Sequence, residues 1–136
     1  MQLVESEGQP YDFVAGDDRR SYADLMTPAG LAEVARYANA IGVNKTLIIP
    51  RNADDSLGRP TTLVADAHAQ GLLVHGWTFR AENYFLPRRF RSSSARARRG
   101  NLGAELAAYL ATGMDGFFTD QPDLGVRGRD SFLATR

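Results

Sequence analysis

Short apolar runs alternate with segments of helical period along this chain, and that alternation limits the fold more than any other feature. Strands are predicted at residues 2–5, 46–49, 72–79 and 114–119, with helices at 28–41, 61–70 and 102–112. Repeated strand–helix–strand order produces parallel strands covered by helices. The sequence therefore predicts an α/β fold with four parallel strands, which is half of an eight-stranded barrel or a small open sheet.

Glycine and proline mark the ends of the predicted helices. Thr27 and Pro28 supply an N-cap followed by proline in the first turn, and Gly42, Gly71 and Gly113 end the three apolar helical patterns. Two long polar segments, residues 6–22 and 80–100, show no sustained period and are predicted to be loops. Loops of this length in compact domains are often functional.

Composition excludes several classes of protein. The 136 residues suffice for one domain, and 16 basic residues balance 16 acidic ones, so no net charge favours nucleic acid or an anionic membrane as a partner. The absence of cysteine excludes disulfides and thiolate metal sites and leaves the compartment open. No apolar run approaches the roughly 20 residues of a membrane span. A strand is predicted to begin directly at the first residues, so we expect this chain to be part of a longer protein.

The run at residues 72–83 has the pattern of a buried strand that delivers side chains to a site. Strict alternation predicts His75, Trp77 and Phe79 on one face, with Trp77 close to the carboxyl end of the strand. Ligands bind at that end in parallel α/β folds. Trp77 is thus a candidate pocket wall and Arg80 a candidate anion ligand. The alternative, a core tryptophan and a solvated arginine, is about equally compatible with the pattern.

The two histidines, His68 and His75, invite a general-base or metal-ligand interpretation. Neither belongs to a metal-binding spacing, and neither has a carboxylate at ligand distance along the sequence. A packed or surface histidine is therefore favoured for both, and neither is assigned to catalysis.

Six arginines lie between Arg88 and Arg99. This run could attract phosphate or nucleic acid, but the net charge is zero and Ser92, Ser93 and Ser94 indicate flexibility, so a mobile solvated loop is favoured. Arg51 follows an earlier apolar run and is predicted to lie at the same end of the sheet as Arg80.

Two segments together resemble a known family. Residues 74–83, VHGWTFRAEN, and residues 113–123, GMDGFFTDQPD, resemble the last two strand motifs of the glycerophosphodiester phosphodiesterase family. The first motif has the form V-x-x-[WY]-T followed by arginine and an acidic residue, and the second has the form G-x-D-G-[ILF]-[FI]-T-D-x-P-D. The resemblance extends backward through residues 22–24 and 27–31 to residues 2–4.

The resemblance implies a TIM-type (β/α)8 barrel of the PLC-like phosphodiesterase type, of which residues 1–136 would be the C-terminal half, about strands 5 to 8. It implies metal-dependent hydrolysis of glycerophosphodiesters to glycerol 3-phosphate and an alcohol, with Ca²⁺ or Mg²⁺ as cofactor. The family's H-R-G, E-x-D and H-D motifs are absent from this sequence. We therefore expect no catalytic residue and no metal ligand in this part, and we expect the isolated chain to be inactive.

The same resemblance assigns substrate-binding roles to Trp77, Arg80, Glu82 and Asp120. The expected partner is a small-molecule glycerophosphodiester, with self-association through open sheet edges, and with no nucleic acid and no membrane span. An alternative function is a non-catalytic α/β module that binds a phosphorylated ligand or a protein partner through the end of the sheet that carries Arg51 and Arg80.

Overall fold

The computed structural model describes all residues, Met1–Arg136, and contains a single sheet. Its strands are β1 (Gln2–Val4), β2 (Ala40–Asn44), β3 (Leu73–Phe79) and β4 (Gly116–Thr119). They are hydrogen-bonded in chain order, and every neighbouring pair is parallel. The prediction of an α/β chain with four parallel strands is confirmed, and the sheet is open, as expected of part of a (β/α)8 barrel.

Helices occupy most of the connections between the strands. They are α1 (Tyr11–Ala15), α2 (Tyr22–Leu25), α3 (Pro28–Val34), α4 (Leu63–Ala69), α5 (Leu102–Leu110) and α6 (Pro122–Leu133), with 3₁₀ turns at Lys45–Leu47 and Arg88–Phe90. None of the helices combines the length and hydrophobicity required to cross a bilayer. The segment predicted as the first long loop contains α1, and α6 follows the last residues to which the sequence patterns assigned structure.

The second strand lies earlier than predicted. The sequence interpretation continued a helix to residue 41 and placed a strand at 46–49, whereas α3 ends at Val34 and β2 comprises Ala40–Asn44. Asn44 ends the strand because its side chain accepts a hydrogen bond from the Thr46 amide, which starts a 3₁₀ turn. Ile48 and Ile49 are buried but do not belong to a strand. Their apolar pattern therefore indicated burial correctly and β-structure wrongly.

One face of the sheet is covered by the helices. Its buried side chains include Val4, Ile41, Val43 and Val74, and they belong to one core cluster with residues of α3, α4 and α5. At the carboxyl end of the strands, Tyr109 of α5 donates a hydrogen bond to the Ile49 carbonyl oxygen at 3.1 Å. The core therefore lies between the sheet and these helices, on what we call the covered face.

The opposite face, which we call the open face, carries Leu3, Leu73, His75, Trp77 and Phe118. Leu3 is 60% exposed and Phe118 is 46% exposed, although both are large apolar residues. Glycines lie between them. A Cβ atom at Gly42 would lie 2.7 Å from Leu3 Cδ2, and one at Gly116 would lie 3.0 Å from the His75 ring. The glycines therefore leave room for the larger side chains of this face.

The predicted orientation of Phe79 is wrong. Alternation placed it on the same face as His75 and Trp77, but Phe79 is fully buried on the covered face, with its ring 5.0 Å from that of Tyr109. The pairing of β3 with β4 shifts register between Gly76 and Phe79. Such an irregularity interrupts the two-residue period, so residues beyond it change face. Trp77 and Thr78 line one cavity together with Asp120, the residue that follows β4.

Candidate active-site edge

A charged residue directly follows each of three neighbouring strands. Lys45 comes after β2, Arg80 after β3 and Asp120 after β4. Because the strands are parallel, their carboxyl ends meet at one edge of the sheet, which is where α/β folds bind ligands. We call this the carboxyl edge. The topology alone therefore brings two cationic residues and one carboxylate together.

Trp77 forms a wall at this edge. Its indole Nε1 donates a hydrogen bond to the Gly42 carbonyl oxygen at 2.8 Å, which fixes the ring across the neighbouring strand. The ring borders a cavity of about 640 Å³. Other residues that line this cavity are Leu3, Val4, Glu5, Tyr22, Thr78, Phe118, Thr119 and Asp120. Trp77 is thus neither a core residue nor a free surface residue, and it presents an aromatic surface to a largely apolar hollow.

Arg80 pairs with Asp120 at the same edge. Arg80 Nε lies 2.6 Å from Asp120 Oδ2, as an ion pair without the geometry of a hydrogen bond, and the guanidinium carbon lies 4.6 Å from the centre of the Phe85 ring. Both side chains are partly exposed, so water screens their attraction. The guanidinium makes no hydrogen bond to protein. Its buried Nε faces Asp120, and the two Nη atoms are left for an anionic ligand.

Three of the four predicted substrate-binding residues come together. Trp77 and Arg80 border a second cavity of about 220 Å³, and Asp120 joins Trp77 in the first one. Glu82 lines neither of these cavities. Its Oε1 accepts a hydrogen bond from Gln121 Nε2 at 3.1 Å, and Gln121 Oε1 accepts one from the Ala81 amide at 2.9 Å. The ligand-binding roles of all four stay predictions, and the position of Glu82 favours a role in holding this loop.

The sequence interpretation missed a buried ion pair beside Arg80. Lys45 Nζ donates a hydrogen bond to Glu105 Oε1 at 2.7 Å, and both side chains are almost fully buried. Burial lowers the pKa of Lys45 and raises the pKa of Glu105, since it disfavours the charged form of each; their mutual attraction opposes both shifts. Arg51 Nη2 adds a second cation 3.6 Å from the same carboxylate oxygen.

Two signals in the sequence could have revealed this pair. Lys45 is the only lysine of the chain, and it stands close to an apolar run in the same way as Arg80 and Asp120. Glu105 occupies a position on α5 that shares the buried stripe with Leu102 and Leu106. A charged residue within an apolar stripe requires a buried partner of opposite charge.

The histidines lie away from the cavities at the carboxyl edge. His68 Nε2 lies 2.8 Å from Asp115 Oδ2, close to the amino end of β4, and the same oxygen accepts a hydrogen bond from the Val74 amide. His75 lies on the open face beside Phe118. No group of three or more histidine, aspartate or glutamate side chains is arranged to hold a metal ion. The residues present therefore do not fit a complete divalent-metal site, and no chemical step is assigned to one.

Comparison with known proteins identifies the family of this chain. Residues 6–124 match the sequence profile of the Glycerophosphoryl diester phosphodiesterase family, whose members are generally metal-dependent. Glycerophosphodiester phosphodiesterase GDPD6 of Arabidopsis thaliana is 36% identical over 105 residues, which are 76% of this chain. The chain spans about a quarter of that relative, since the match covers 26% of its length. The resemblance seen in the two strand motifs is confirmed, and this chain belongs to the glycerophosphoryl diester phosphodiesterase family.

Proposed function

We propose that this chain forms the substrate-facing part of an enzyme that hydrolyses glycerophosphodiesters to glycerol 3-phosphate and an alcohol. The observation that carries the proposal is the meeting of Trp77, Arg80 and Asp120 at the carboxyl edge, within the residues that match the family. In this arrangement the Trp77 ring packs against the carbon atoms of the glycerol moiety, while Arg80 binds phosphoryl oxygens. In the absence of a ligand Arg80 pairs with Asp120, and in this proposal the phosphoryl group replaces that carboxylate.

Hydrolysis of a phosphodiester requires charge stabilisation and proton transfer. Arg80 at the carboxyl edge offers the first by neutralising charge on the phosphoryl oxygens, and Lys45 lines the same cavity from its buried pair with Glu105. Proton transfer requires a general acid or base within hydrogen-bond reach of the reacting oxygens, and neither histidine lines the two cavities. We therefore propose that residues 1–136 are a partial domain that is inactive when isolated.

The missing chemistry belongs, in this proposal, to a complementary half of the barrel. That half supplies the catalytic histidines and most ligands of the divalent metal, Ca²⁺ or Mg²⁺, and it covers the open face. β1 and β4 are the edge strands of the sheet, and each has one side without a strand partner. Unpaired edges and an apolar face favour association, so we propose that the isolated chain associates with a second copy through them.

Two measurements test the proposed function. The purified chain is assayed for release of glycerol 3-phosphate from glycerophosphocholine with added Ca²⁺ or Mg²⁺, and no turnover is expected. Binding of glycerol 3-phosphate is followed by the fluorescence of Trp77, which is the only tryptophan of the chain. Arg80→Gln is expected to weaken binding about tenfold, whereas Arg98→Gln, a matched change outside the edge, is expected to have little effect. Clear turnover would refute the incompleteness of the site.

A second function is favoured by two contacts to Phe85. Arg51 Nη2 donates a hydrogen bond to the Phe85 carbonyl oxygen at 2.6 Å, and Arg80 stacks on the Phe85 ring, so two cations converge on one residue. A non-catalytic module that binds a phosphorylated ligand or a protein partner would use this arrangement. It requires glycerol 3-phosphate to stabilise the chain against unfolding, and it requires no hydrolysis even when a complete barrel is reconstituted. An upstream reading frame that encodes H-R-G and E-x-D would favour the enzyme.

A further inference from the structure

We propose that a basic pocket beside the carboxyl edge binds a second anionic group, a phosphate or carboxylate carried by the alcohol half of the substrate. The pocket lies between the loop after β2 and the arginine-rich loop after β3, and its volume is about 620 Å³. The lining residues used in the argument are Lys45, Arg51, Asp55, Tyr84, Arg91 and Arg96. This proposal rests on the proposed function, because it defines the class of diester that the carboxyl edge accepts.

The arginine-rich loop has fixed local structure around Asn83. The Asn83 side chain is buried and donates hydrogen bonds to the carbonyl oxygens of Ser93 and Ala95, at 3.1 and 3.0 Å, and it accepts one from the Ser92 amide at 3.0 Å. The Tyr84 amide also bonds to the Arg96 carbonyl oxygen at 3.0 Å. The interpretation of a loose, solvated loop missed this anchor. Because the pocket wall is already formed, a ligand does not have to order it on binding.

The pocket carries an excess of positive charge. Arg51 and Arg91 both pair with Asp55, and Lys45 pairs with Glu105 beneath the pocket. Arg96 has no carboxylate partner, and its guanidinium carbon lies 4.1 Å from the centre of the Tyr84 ring. Four cations thus face two carboxylates, which leaves two unbalanced positive charges. That excess matches the charge of one phosphate monoester.

A donor in the pocket wall also lacks a partner. Arg51 donates through Nη1 to Asp55 and through Nη2 to the Phe85 carbonyl, but its buried Nε makes no hydrogen bond. A buried donor without an acceptor carries a free-energy penalty. Arg51 is therefore incompletely satisfied by protein groups alone.

The pocket adjoins the substrate-facing cavity. Lys45 and Phe85 line both the basic pocket and the smaller cavity bordered by Trp77 and Arg80. A diester whose glycerophosphate half lies between Trp77 and Arg80 can therefore extend its alcohol half past Phe85 toward Arg96. Negative charge on that alcohol is attracted there, and the positive charge of a choline-type alcohol is repelled.

The experiment compares two diesters by isothermal titration calorimetry on the 136-residue chain. Glycerophosphoinositol 4-phosphate carries the additional phosphate, and glycerophosphocholine carries a cation. The first is expected to bind about ten times more tightly. Arg96→Gln is expected to remove most of that difference. Arg98→Gln changes an exposed arginine of the same loop that does not line the pocket, and it is expected to preserve the difference.

Three results would overturn the pocket: equal affinities for the two diesters, no binding of the phosphorylated one, or an equal loss in Arg98→Gln and Arg96→Gln. The last would show an effect of overall charge. Failure of the proposed function is distinguishable from these results. If a reconstituted complete barrel hydrolyses neither diester while the Arg96-dependent preference persists, the pocket stands and the phosphodiesterase proposal fails. If hydrolysis occurs and neither diester is preferred, the phosphodiesterase proposal stands and the pocket fails.

Discussion

Neighbouring residues of one strand lie on the two faces of this sheet and differ in how far they are buried. Val4 is fully buried on the covered face, whereas the adjacent Leu3 is 60% exposed on the open face. Both are apolar, and both lie in the same short strand. On the covered face, helices bury the side chains, and on the open face Leu3 and Phe118 stay exposed. Apolar composition alone therefore does not decide where the core lies, since contact with a second layer is also required.

Two ion pairs differ in burial in the same way as these two side chains. Lys45 and Glu105 approach to 2.7 Å in the interior beneath the carboxyl edge, and Arg80 and Asp120 approach to 2.6 Å at the surface of that edge. The first pair is shielded from water and the second is partly exposed. Breaking a buried pair leaves an isolated charge in the interior, while breaking an exposed pair returns both groups to water. Ion pairs at nearly equal distances are thus expected to have very different effects on stability.

The largest effect is expected for the buried pair. Glu105→Ala leaves Lys45 without its carboxylate and is expected to reduce the free energy of unfolding by about 3–5 kcal/mol, measured by urea denaturation. Asp120→Ala, the matched change at the exposed pair, is expected to cost at most about 1 kcal/mol. In the double variant Lys45→Met with Glu105→Leu, much of the lost stability should return. Similar losses in the two single variants would contradict the contrast between the pairs.

The next effect separates the two side chains of β1. Val4→Ala removes buried methyl groups on the covered face and is expected to destabilise the chain by roughly 2 kcal/mol. Leu3→Ala removes more carbon from the open face, and the expected change is within about 0.5 kcal/mol. The stability losses of the two variants are compared through their denaturation midpoints. The protein concentration is kept low so that association does not contribute. A large loss in Leu3→Ala would indicate that the open face is covered in solution, as by the proposed second copy.

A smaller effect concerns the hydrogen bond from Tyr109 to the Ile49 carbonyl. Tyr109→Phe leaves that buried oxygen without its donor and is expected to cost about 1.5 kcal/mol. Burial raises the pKa of Tyr109, so above about pH 10 the unfolded chain loses the phenolic proton that the folded chain keeps. Stability should therefore fall as the pH rises beyond that point. In Tyr109→Phe this component should vanish, and an unchanged alkaline slope would exclude it.

The sequence predicted best what depends on local pattern. The carboxyl ends of β3 and β4 carried recognisable motifs, and they placed Trp77, Arg80 and Asp120 at one edge. The features it missed depend on distant partners. Lys45 and Glu105 are separated by 60 residues. The orientation of Phe79 follows from a register shift with β4, and no single-strand pattern contains that information.

The smallest change in stability is expected at the carboxyl edge, where it accompanies a change in binding. Asp120→Asn removes one charge from an exposed pair, so the free energy of unfolding should change by less than about 0.5 kcal/mol. The same change removes the carboxylate that competes with phosphate for Arg80. Titration with glycerol 3-phosphate, followed by Trp77 fluorescence, should therefore show an affinity about two- to fivefold higher. Weaker binding would instead mean that the Asp120 carboxylate contacts the ligand, and Arg80→Gln combined with Asp120→Asn would separate these two roles.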